Sequence, residues 1–414
     1  MRTRTCFATI ASGNYLAYAR VLRDSVSRHM PEAAFRLLIV DRRTAALDSE
    51  LAETGLSATY AEQLGLPDFE LIAYKFDVVE LNTALKPSFL KQLFTEGYEQ
   101  VVYLDPDIQV LAPPEPVLAA LHDCEIVLTP HALRPVMDGK RPSDIDFLRG
   151  GTFNLGFVGL RAGANARAFL DWWERRCLAL GFNDATFGVF VDQKWVDLAP
   201  SYFDSVRVLR HPGCNVAYWN LHERTLERSA SGYTANGQTL SFFHFSGVDA
   251  LRPERLSRHQ NRHVPPLDPI VSELVQNYCA ALLAAGHERY RGNAYGYAVL
   301  DDGSPISPLM RRASGCSDLD VSRPFAADSQ FQRELRARGL AQTAAAPAPQ
   351  GDNTLTFDAG DKRVRTVNSL VRLLARIAGA QRVALLLRYA TFLSWGSNLP
   401  AVLLRRPPDL GHHE

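Results

Sequence analysis

The N-terminal part of the chain alternates short apolar runs with stretches of helical periodicity. Residues 6–11 (CFATIA) form an apolar run that predicts a buried strand. From Tyr15 to Met30, apolar residues recur at intervals of three and four, which predicts a helix. A second apolar run, residues 35–41 (FRLLIVD), predicts another buried strand. This strand–helix–strand order indicates a parallel α/β sheet.

The same alternation of apolar runs and stretches of helical periodicity continues through the middle of the chain. Further strands are predicted at residues 101–105, 125–130 and 153–161, and helices at residues 69–95 (with a break at Pro87), 164–180 and 270–285. Between residues 225 and 246, two strand-like runs flank Asn236–Gly237, a dipeptide typical of a tight β-hairpin turn.

The C-terminal part has a different character. Residues 344–351 are rich in alanine and proline, which predicts a linker, and residues 364–395 predict one or two helices. We therefore divide the chain into segments 1–260, 261–340 (a helical or irregular extension), 341–353 (a linker) and 354–414 (a basic helical segment).

The charges of the 414-residue chain balance, with 45 Lys and Arg against 45 Asp and Glu. This balance argues against a whole-protein electrostatic attraction to nucleic acid, so no nucleic-acid partner is expected. The six cysteines are scattered, without a Cys-x-x-Cys pair, which is typical of buried thiols in a reducing compartment. The N-terminal apolar run is too short for a signal peptide, and no uncharged apolar stretch reaches the roughly 18 residues of a transmembrane helix. The sequence therefore predicts a cytoplasmic protein.

Two carboxylates lie one residue apart where the apolar run VVYL ends. Asp105 and Asp107 flank Pro106 at this point. Carboxylate oxygens bind hard divalent cations such as Mn²⁺ or Mg²⁺, which also take phosphate oxygens. In α/β sheets, ligands bind at the carboxyl ends of strands. An Asp-x-Asp sequence also occurs in ordinary turns and caps, so the metal-site hypothesis rests on its position after a buried strand.

Three later sequences carry side chains suited to a ligand. HFSG, from His244 to Gly247, offers an imidazole for a metal and small residues that let backbone amides approach a phosphate. Asp192 and Gln193 in FVDQKW can bind sugar hydroxyls, although an aspartate before a helix is also a common cap. Asn154 offers a donor and an acceptor in GGTFNLG, whose glycines permit close approach of a ligand or merely kink a strand.

Taken in order along the chain, these motifs resemble those of the GT-A glycosyltransferases, most closely the family-8 type. The resemblance covers residues 5–250, from Ser-Gly-Asn-Tyr at positions 12–15 to the late histidine. It implies an α/β GT-A fold, a mixed sheet flanked by helices with a helical C-terminal appendage, and makes segment 1–260 the catalytic domain. Enzymes of this kind transfer a sugar from a UDP-sugar donor with manganese and usually retain the anomeric configuration.

The resemblance also implies a role for each matching residue. The implied metal ligands are Asp105, Asp107 and His244. The implied wall for the base and ribose consists of Ala8, Asn14 and Tyr15. The implied donor-sugar contacts are Asn154, Asp192 and Gln193, with Gln193 facing the anomeric carbon. A retaining reaction could run as a double displacement with Asp192 as the nucleophile or by same-face attack, and the resemblance favours the second route. Gly247 is implied to lie beside the diphosphate.

The chain departs from the family where a lysine usually follows the late His-Gly segment to bind the diphosphate. Here the sequence reads HFSGVDALRPE, and Arg252 or Arg255 is the candidate substitute, because guanidinium groups bind phosphate well. Lys75 and Lys86 are further candidate cations, unless they are solvated surface residues.

The C-terminal segment 361–406 is rich in arginine and apolar residues and has few acids. A basic amphipathic helix can lie on an anionic membrane surface. This predicts peripheral contact with the inner membrane face and suits a lipid-linked or glycan acceptor. The alternative is a helix that packs on the rest of the protein and leaves its arginines in water.

Three other functions are compatible with parts of the pattern, and one of them is a bilayer-associated assembly factor that acts through the basic C-terminal segment without turnover. A sugar-nucleotide pyrophosphorylase would carry a glycine-rich phosphate loop after its first strand, but ASGNYLAYAR contains a single glycine. A catalytically inactive GT-A-like scaffold or glycan-binding protein would be favoured by loss of the Asp-x-Asp sequence or the late histidine, and both are intact.

Overall fold

The computed structural model describes residues 3–230, 232–316, 319–341, 362–396 and 398–404. The chain divides into two compact units. The first consists of Met1–Phe69 and Val78–Tyr297, and the second of Glu70–Asp77 and Ala298–Glu414. The domain boundaries inferred from the sequence at 260, 340 and 353 stay predictions.

The elements are numbered in chain order. The strands are β1 (Thr5–Ala11), β2 (Ala34–Ile39), β3 (Ala58–Tyr60), β4 (Gln100–Leu104), β5 (Ile108–Val110), β6 (Ile126–Leu128), β7 (Phe157–Arg161), β8 (Asn183–Asp184), β9 (Val189–Phe190), β10 (Val206–Val208), β11 (Leu226–Ser229), β12 (Gly232–Ala235), β13 (Gln238–Thr239) and β14 (Phe242–His244). The α-helices are α1 (Leu16–His29), α2 (Ala45–Thr54), α3 (Phe69–Lys75), α4 (Val78–Ala84), α5 (Lys86–Thr95), α6 (Glu115–Asp123), α7 (Asp144–Gly150), α8 (Ala164–Leu180), α9 (Ala199–Tyr202), α10 (Pro269–Ala284), α11 (His287–Tyr290), α12 (Pro308–Ala313), α13 (Gln330–Ala337), α14 (Lys362–Ala378), α15 (Ala380–Leu393) and α16 (Asn398–Leu403). Short 3-10 helices span Gly13–Tyr15, Ala61–Leu64, Ala185–Phe187, Lys194–Leu198, Leu221–Glu223 and Gly296–Ala298.

The predicted α/β class, with a mixed sheet flanked by helices, is confirmed. The main sheet has the strand order β10-β6-β7-β4-β1-β2-β3. All neighbouring strands run parallel except β7, which is antiparallel to both β4 and β6. The parallel pairing inferred from the first strand–helix–strand unit is confirmed for β1 and β2, and β7 makes the sheet mixed, as the predicted fold class has it.

This reversal decides where the polar residues meet. Leu104, the last residue of β4, pairs with Phe157, the first residue of β7. The residues just before β7 therefore lie beside those just after β4. A second small sheet completes the arrangement, because β14 pairs antiparallel with β5 and sets His244 opposite Ile108. Three segments distant in sequence thus converge at the carboxyl end of β4.

A large apolar cluster supports this end of the first unit. It packs α1 against β2, α10 and the segment around β14, and it buries Leu16, Leu37 and Tyr278. The ring of Phe245, one residue beyond β14, stacks on Tyr278 with a centroid distance of 3.9 Å. Burial of rings of this size removes enough apolar surface from water to hold the segment in place.

Two local predictions have different outcomes. The hairpin is confirmed, because β12 and β13 pair antiparallel around Asn236–Gly237. The predicted break at Pro87 is wrong by two residues: α4 ends at Ala84, and Pro87 lies in the first turn of α5. Proline has no N–H to donate, and the first turn of a helix needs none, so the break precedes it.

The second unit contains the predicted C-terminal helices, α14 and α15, which confirms a helical appendage. The predicted linker 344–351 lies outside the described residues, as do Arg405 and Arg406. Within the described ranges, every helix is too short or too polar to cross a membrane.

Candidate metal centre and adjoining cleft

The structure brings Asp105, Asp107 and His244 together, and one ligand atom from each lies within 4.8 Å of the others. The Asp105 N–H donates to the Gly156 carbonyl over 2.7 Å, so the pairing of β4 with β7 continues by one residue and holds the backbone of Asp105. Asp107 precedes β5, and His244 reaches it through the β5–β14 pairing. Each ligand is thus held by a strand end rather than by a free loop.

The charges of these three groups support one another. His244 Nε2 lies 2.9 Å from Asp107 Oδ1 and 3.9 Å from Asp105 Oδ2. Burial alone would lower the pKa of His244, but the carboxylates of Asp107 and Asp105 together outweigh burial and raise it. Burial would likewise raise the pKa of Asp107, and the imidazole reverses this effect and lowers it. Two carboxylates and one imidazole form a mixed oxygen and nitrogen donor set that fits Mn²⁺.

Gly156 leaves the space that this cluster occupies. A Cβ atom at this position would lie 2.4 Å from His244 Cε1 and 2.8 Å from Asp105 Oδ2. Both distances are far below ordinary van der Waals contact. Glycine is therefore required here by the side chains of His244 and Asp105. From the sequence alone, the glycines of this stretch were expected to admit a bound molecule or to kink a strand.

A buried ion pair lies behind the cluster. Lys86 and Asp192 are each 2% exposed, and Lys86 Nζ lies 2.7 Å from Asp192 Oδ2. The same ammonium donates to the Leu155 carbonyl over 2.8 Å and lies 3.9 Å from Asp105 Oδ1. It also lies 4.4 Å from the ring centre of Tyr103, whose hydroxyl donates to Asp105 over 2.7 Å. Lys86 is therefore part of the site, not a solvated surface residue.

Asn154 and Gln193 are also buried beside the cluster. Asn154 Oδ1 lies 3.2 Å from His244 Nδ1, and Gln193 Oε1 accepts the Leu155 N–H over 3.0 Å. Asn215, which the sequence analysis missed, donates to Asn154 Oδ1 over 3.0 Å. A single asparagine outside any motif gives no sequence signal of a site, so only the fold could reveal the role of Asn215.

A cleft of about 790 Å³ opens from the cluster at Asp107. Besides Asp107, five sequence candidates line it: Asn14, Tyr15, Gly247, Arg252 and Arg255. Ala8 does not reach this cleft, because it is a fully buried residue within β1, between β2 and β4. Tyr15 stacks on Tyr18 with a centroid distance of 4.6 Å, which adds an aromatic wall.

Arginines supply the positive charge of this cleft. Arg252 lies 3.6 Å from Asp249, and Arg255 lies 3.8 Å from Glu254. Each of these candidate phosphate-binding arginines therefore also pairs with a neighbouring carboxylate. Arg258 and Arg291 also line the cleft, and the sequence analysis missed them. The Arg258 N–H donates to the carbonyl of Gly247 over 3.1 Å, which sets this arginine beside the loop that follows His244.

The loop itself requires glycine at position 247. Gly247 has a φ of +73°, and a Cβ atom there would lie 2.4 Å from His259 Cδ2. Lys75, the remaining cation candidate, belongs to the second unit.

Sequence comparison finds two curated relatives, both uncharacterized proteins of Bacillus subtilis. YfnF is 26% identical over 277 residues, which cover 66% of this chain and 90% of YfnF. YfnD is 26% identical over 249 residues, which cover 58% of this chain and 77% of YfnD. No family model matches the chain.

Comparison with solved structures finds glycosyltransferases. The galactosyltransferase LgtC, in complex with donor and acceptor sugar analogues, gives a TM-score of 0.38 at 13% identity and covers 67% of this chain and 95% of LgtC. Mouse xyloside xylosyltransferase 1 gives a TM-score of 0.37 at 12% identity and covers 58% of this chain and 97% of the mouse chain.

Proposed function

We propose that this protein is a metal-dependent glycosyltransferase that moves a sugar from a nucleotide-sugar donor to a glycan or lipid-linked acceptor. The observation that carries the proposal is the Asp105, Asp107 and His244 cluster at the edge of an arginine-lined cleft. A cation-binding cluster beside several guanidinium groups suits a diphosphate leaving group, because both neutralise phosphate oxygens. The motif order resembles that of family-8 GT-A enzymes, which supports UDP as the nucleotide and manganese as the metal.

The protein's own groups can be assigned to parts of the donor. The stacked rings of Tyr15 and Tyr18 offer a flat surface for the nucleobase, with Asn14 beside them for the ribose. Arg258 and Arg291 line the same cleft and would bind the diphosphate. A divalent cation held by the carboxylates and His244 would act as a Lewis acid on the charge that develops as the nucleoside diphosphate departs.

The position of Asp192 bears on the stereochemical course. Its carboxylate is 2% exposed and its Oδ2 lies 2.7 Å from the Lys86 ammonium. A nucleophile must reach the anomeric carbon, and a carboxylate held in a buried ion pair is poorly placed to do so. We therefore favour a retaining transfer by same-face attack over a double displacement through Asp192.

Turnover of a donor panel tests the proposal. Purified protein is incubated with UDP-, GDP- and dTDP-sugars, with Mn²⁺ or with EDTA, and release of the nucleoside diphosphate is measured. Slow release from one donor, lost with EDTA, is expected. If no donor is hydrolysed and none raises the melting temperature, the inactive scaffold or glycan-binding protein becomes the better account.

We further propose that the acceptor side of the reaction is at an anionic membrane, which α14 and α15 would contact. Five large aliphatic side chains of α14 are 46% to 75% exposed: Val367, Leu370, Leu373, Leu374 and Ile377. At 100° per residue they share one face, and Arg365, Arg372 and Arg376 share the opposite one. Residues 362–404 contain no Asp or Glu. A helix with an aliphatic face, a basic face and no acid fits an anionic lipid surface.

Vesicle binding tests this contact. The protein is expected to sediment with vesicles containing phosphatidylglycerol and much less with phosphatidylcholine alone. Replacing Arg365, Arg372 and Arg376 with glutamine should weaken binding by about 100-fold, at about 1 kcal/mol per cation. Ile377→Glu should weaken it as well, whereas Met137→Glu, a change at another exposed apolar residue, should not. Equal binding to both vesicle types would contradict the proposal.

A further inference from the structure

The two ring nitrogens of His244 face different groups. Nε2 lies 2.9 Å from Asp107 Oδ1 within the candidate metal cluster, and Nδ1 lies 3.2 Å from Asn154 Oδ1. A neutral imidazole has one N–H and one acceptor nitrogen. If the N–H is on Nδ1 and donates to Asn154 Oδ1, the lone pair of Nε2 is left for a cation. The orientation of one buried amide thus decides whether His244 can be a ligand.

The groups around Asn154 fix this orientation. On one side, Asn215 Nδ2 donates to Asn154 Oδ1 over 3.0 Å. On the other side, Asn154 Nδ2 lies 3.4 Å from His131 Nε2 and 3.5 Å from Gln193 Oε1. A reversed amide would turn its NH₂ group toward the donor of Asn215 and its oxygen toward the oxygen of Gln193. Both changes replace an attraction with a repulsion.

Backbone groups, whose roles as donor or acceptor are fixed, orient Gln193. Its Nε2 donates to the Gly150 carbonyl over 2.8 Å, and its Oε1 accepts the Leu155 N–H over 3.0 Å. A carbonyl only accepts and an N–H only donates. The oxygen of Gln193 must therefore be the atom that faces Asn154.

The same backbone segment orients His131. Its Nδ1 lies 3.3 Å from the Thr152 carbonyl, so Nδ1 carries the proton and Nε2 is the acceptor that faces Asn154. Burial lowers the pKa of His131 to about 4, so the ring is neutral at physiological pH and keeps an acceptor nitrogen. The ring also stacks on Phe147 at 5.3 Å, which holds its plane.

We propose that His131 and Gln193, each set by backbone groups of residues 150–155, orient the Asn154 amide and through it hold His244 with Nε2 available to the metal. His131, Asn154 and Gln193 are then positioning residues. This differs from the roles that the family resemblance implies for Asn154 and Gln193, which are contacts to the donor sugar. The inference deepens the proposed function and rests on it only as far as a metal is concerned.

The test measures metal binding at the site rather than turnover. Mn²⁺ affinity is determined by EPR without nucleotide for the wild type and for Asn154→Leu, His131→Phe and His131→Gln. Loss of an outer partner of a metal-bound histidine typically weakens metal binding by about 10–100-fold. We expect a loss in this range for Asn154→Leu, a smaller loss for His131→Phe, and recovery in His131→Gln, which keeps an acceptor. Pulsed EPR should show the coupling to the imidazole nitrogen fading in the same order.

Two controls separate this role from a general effect on folding. His222→Phe, at another partly buried histidine outside this network, should leave Mn²⁺ affinity unchanged, and all variants should keep the wild-type circular dichroism spectrum. In parallel, ¹⁵N-histidine NMR of the metal-free protein follows the Nδ1–H of His244, which donates to Asn154 in the proposed arrangement. A slowly exchanging Nδ1–H is expected in the wild type and a faster exchange in Asn154→Leu.

The outcomes distinguish the two proposals. A wild type that binds no Mn²⁺ contradicts the metal-dependent function, and the NMR spectra then decide the orientation of His244 alone. Mn²⁺ binding that is equal in the wild type and Asn154→Leu, or a His244 Nδ1–H that exchanges equally fast in both proteins, overturns the positioning role.

Discussion

Replacing Asp107 with alanine is expected to lower the rate of nucleotide-sugar turnover by about 10³-fold, because a Lewis-acid cation typically contributes several kcal/mol to the transition state. Asp107 is the cluster residue that also lines the cleft, so its loss removes a ligand at the point where donor and metal would meet. It also removes the carboxylate that raises the pKa of His244. The measurement is release of nucleoside diphosphate from the donor that the panel identifies.

A matched variant and a binding measurement make this result specific. Asp123→Ala removes an exposed carboxylate that pairs with Arg207 and should keep wild-type turnover. Mn²⁺ should raise the melting temperature of the wild type and of Asp123→Ala but not of Asp107→Ala, since only a folded state that binds the ion is stabilised by it. Full turnover by Asp107→Ala with normal Mn²⁺ dependence would contradict the proposed metal centre.

Much of the sheet could be predicted from the sequence because its strands are continuous apolar runs. β1, β4 and the second half of β2 are buried almost throughout, and strands that are covered on both faces are largely apolar. The direction of β7 could not be predicted, since residues 157–161 are equally apolar whichever way the strand runs. The direction is visible only in the pairing of β7 with β4 and β6, and no local pattern encodes it.

The candidate site likewise contains residues that the sequence could indicate and residues that only the fold reveals. Asp105, Asp107 and His244 follow apolar runs and could be proposed from their positions at strand ends. Lys86 has no such mark: it opens α5, and its burial depends on meeting Asp192, which is 106 positions later in the chain. The arginines of the cleft lie on irregular segments, where neither helical nor strand periodicity predicts which way a side chain points.

Lys86→Met is expected to lower the free energy of unfolding by about 3–5 kcal/mol, the usual effect of removing one partner of a buried ion pair. The substitution would leave the Asp192 carboxylate uncompensated and the Leu155 carbonyl without its ammonium donor. Lys91→Met is the matched control on the same helix. Lys91 pairs with Asp171 and Glu174 but is 37% exposed, so its loss should cost about 1 kcal/mol or less. Urea unfolding measures both.

The pH dependence of unfolding should identify the uncompensated Asp192 carboxylate as the cause of the stability loss in Lys86→Met. Burial raises the pKa of Asp192 even though Lys86 opposes the shift. A carboxyl whose pKa is higher in the folded state binds more protons there, so stability falls as pH rises from its unfolded pKa, near 3.8, through its folded pKa. Without Lys86 this window extends further upward, so Lys86→Met should approach the wild-type stability as pH is lowered from 7 toward 5. Adding Asp192→Asn should restore stability at pH 7, because no buried charge then remains. A constant difference across this pH range, with no rescue by the double variant, would show that packing of the lysine stem rather than the ion pair stabilises this region.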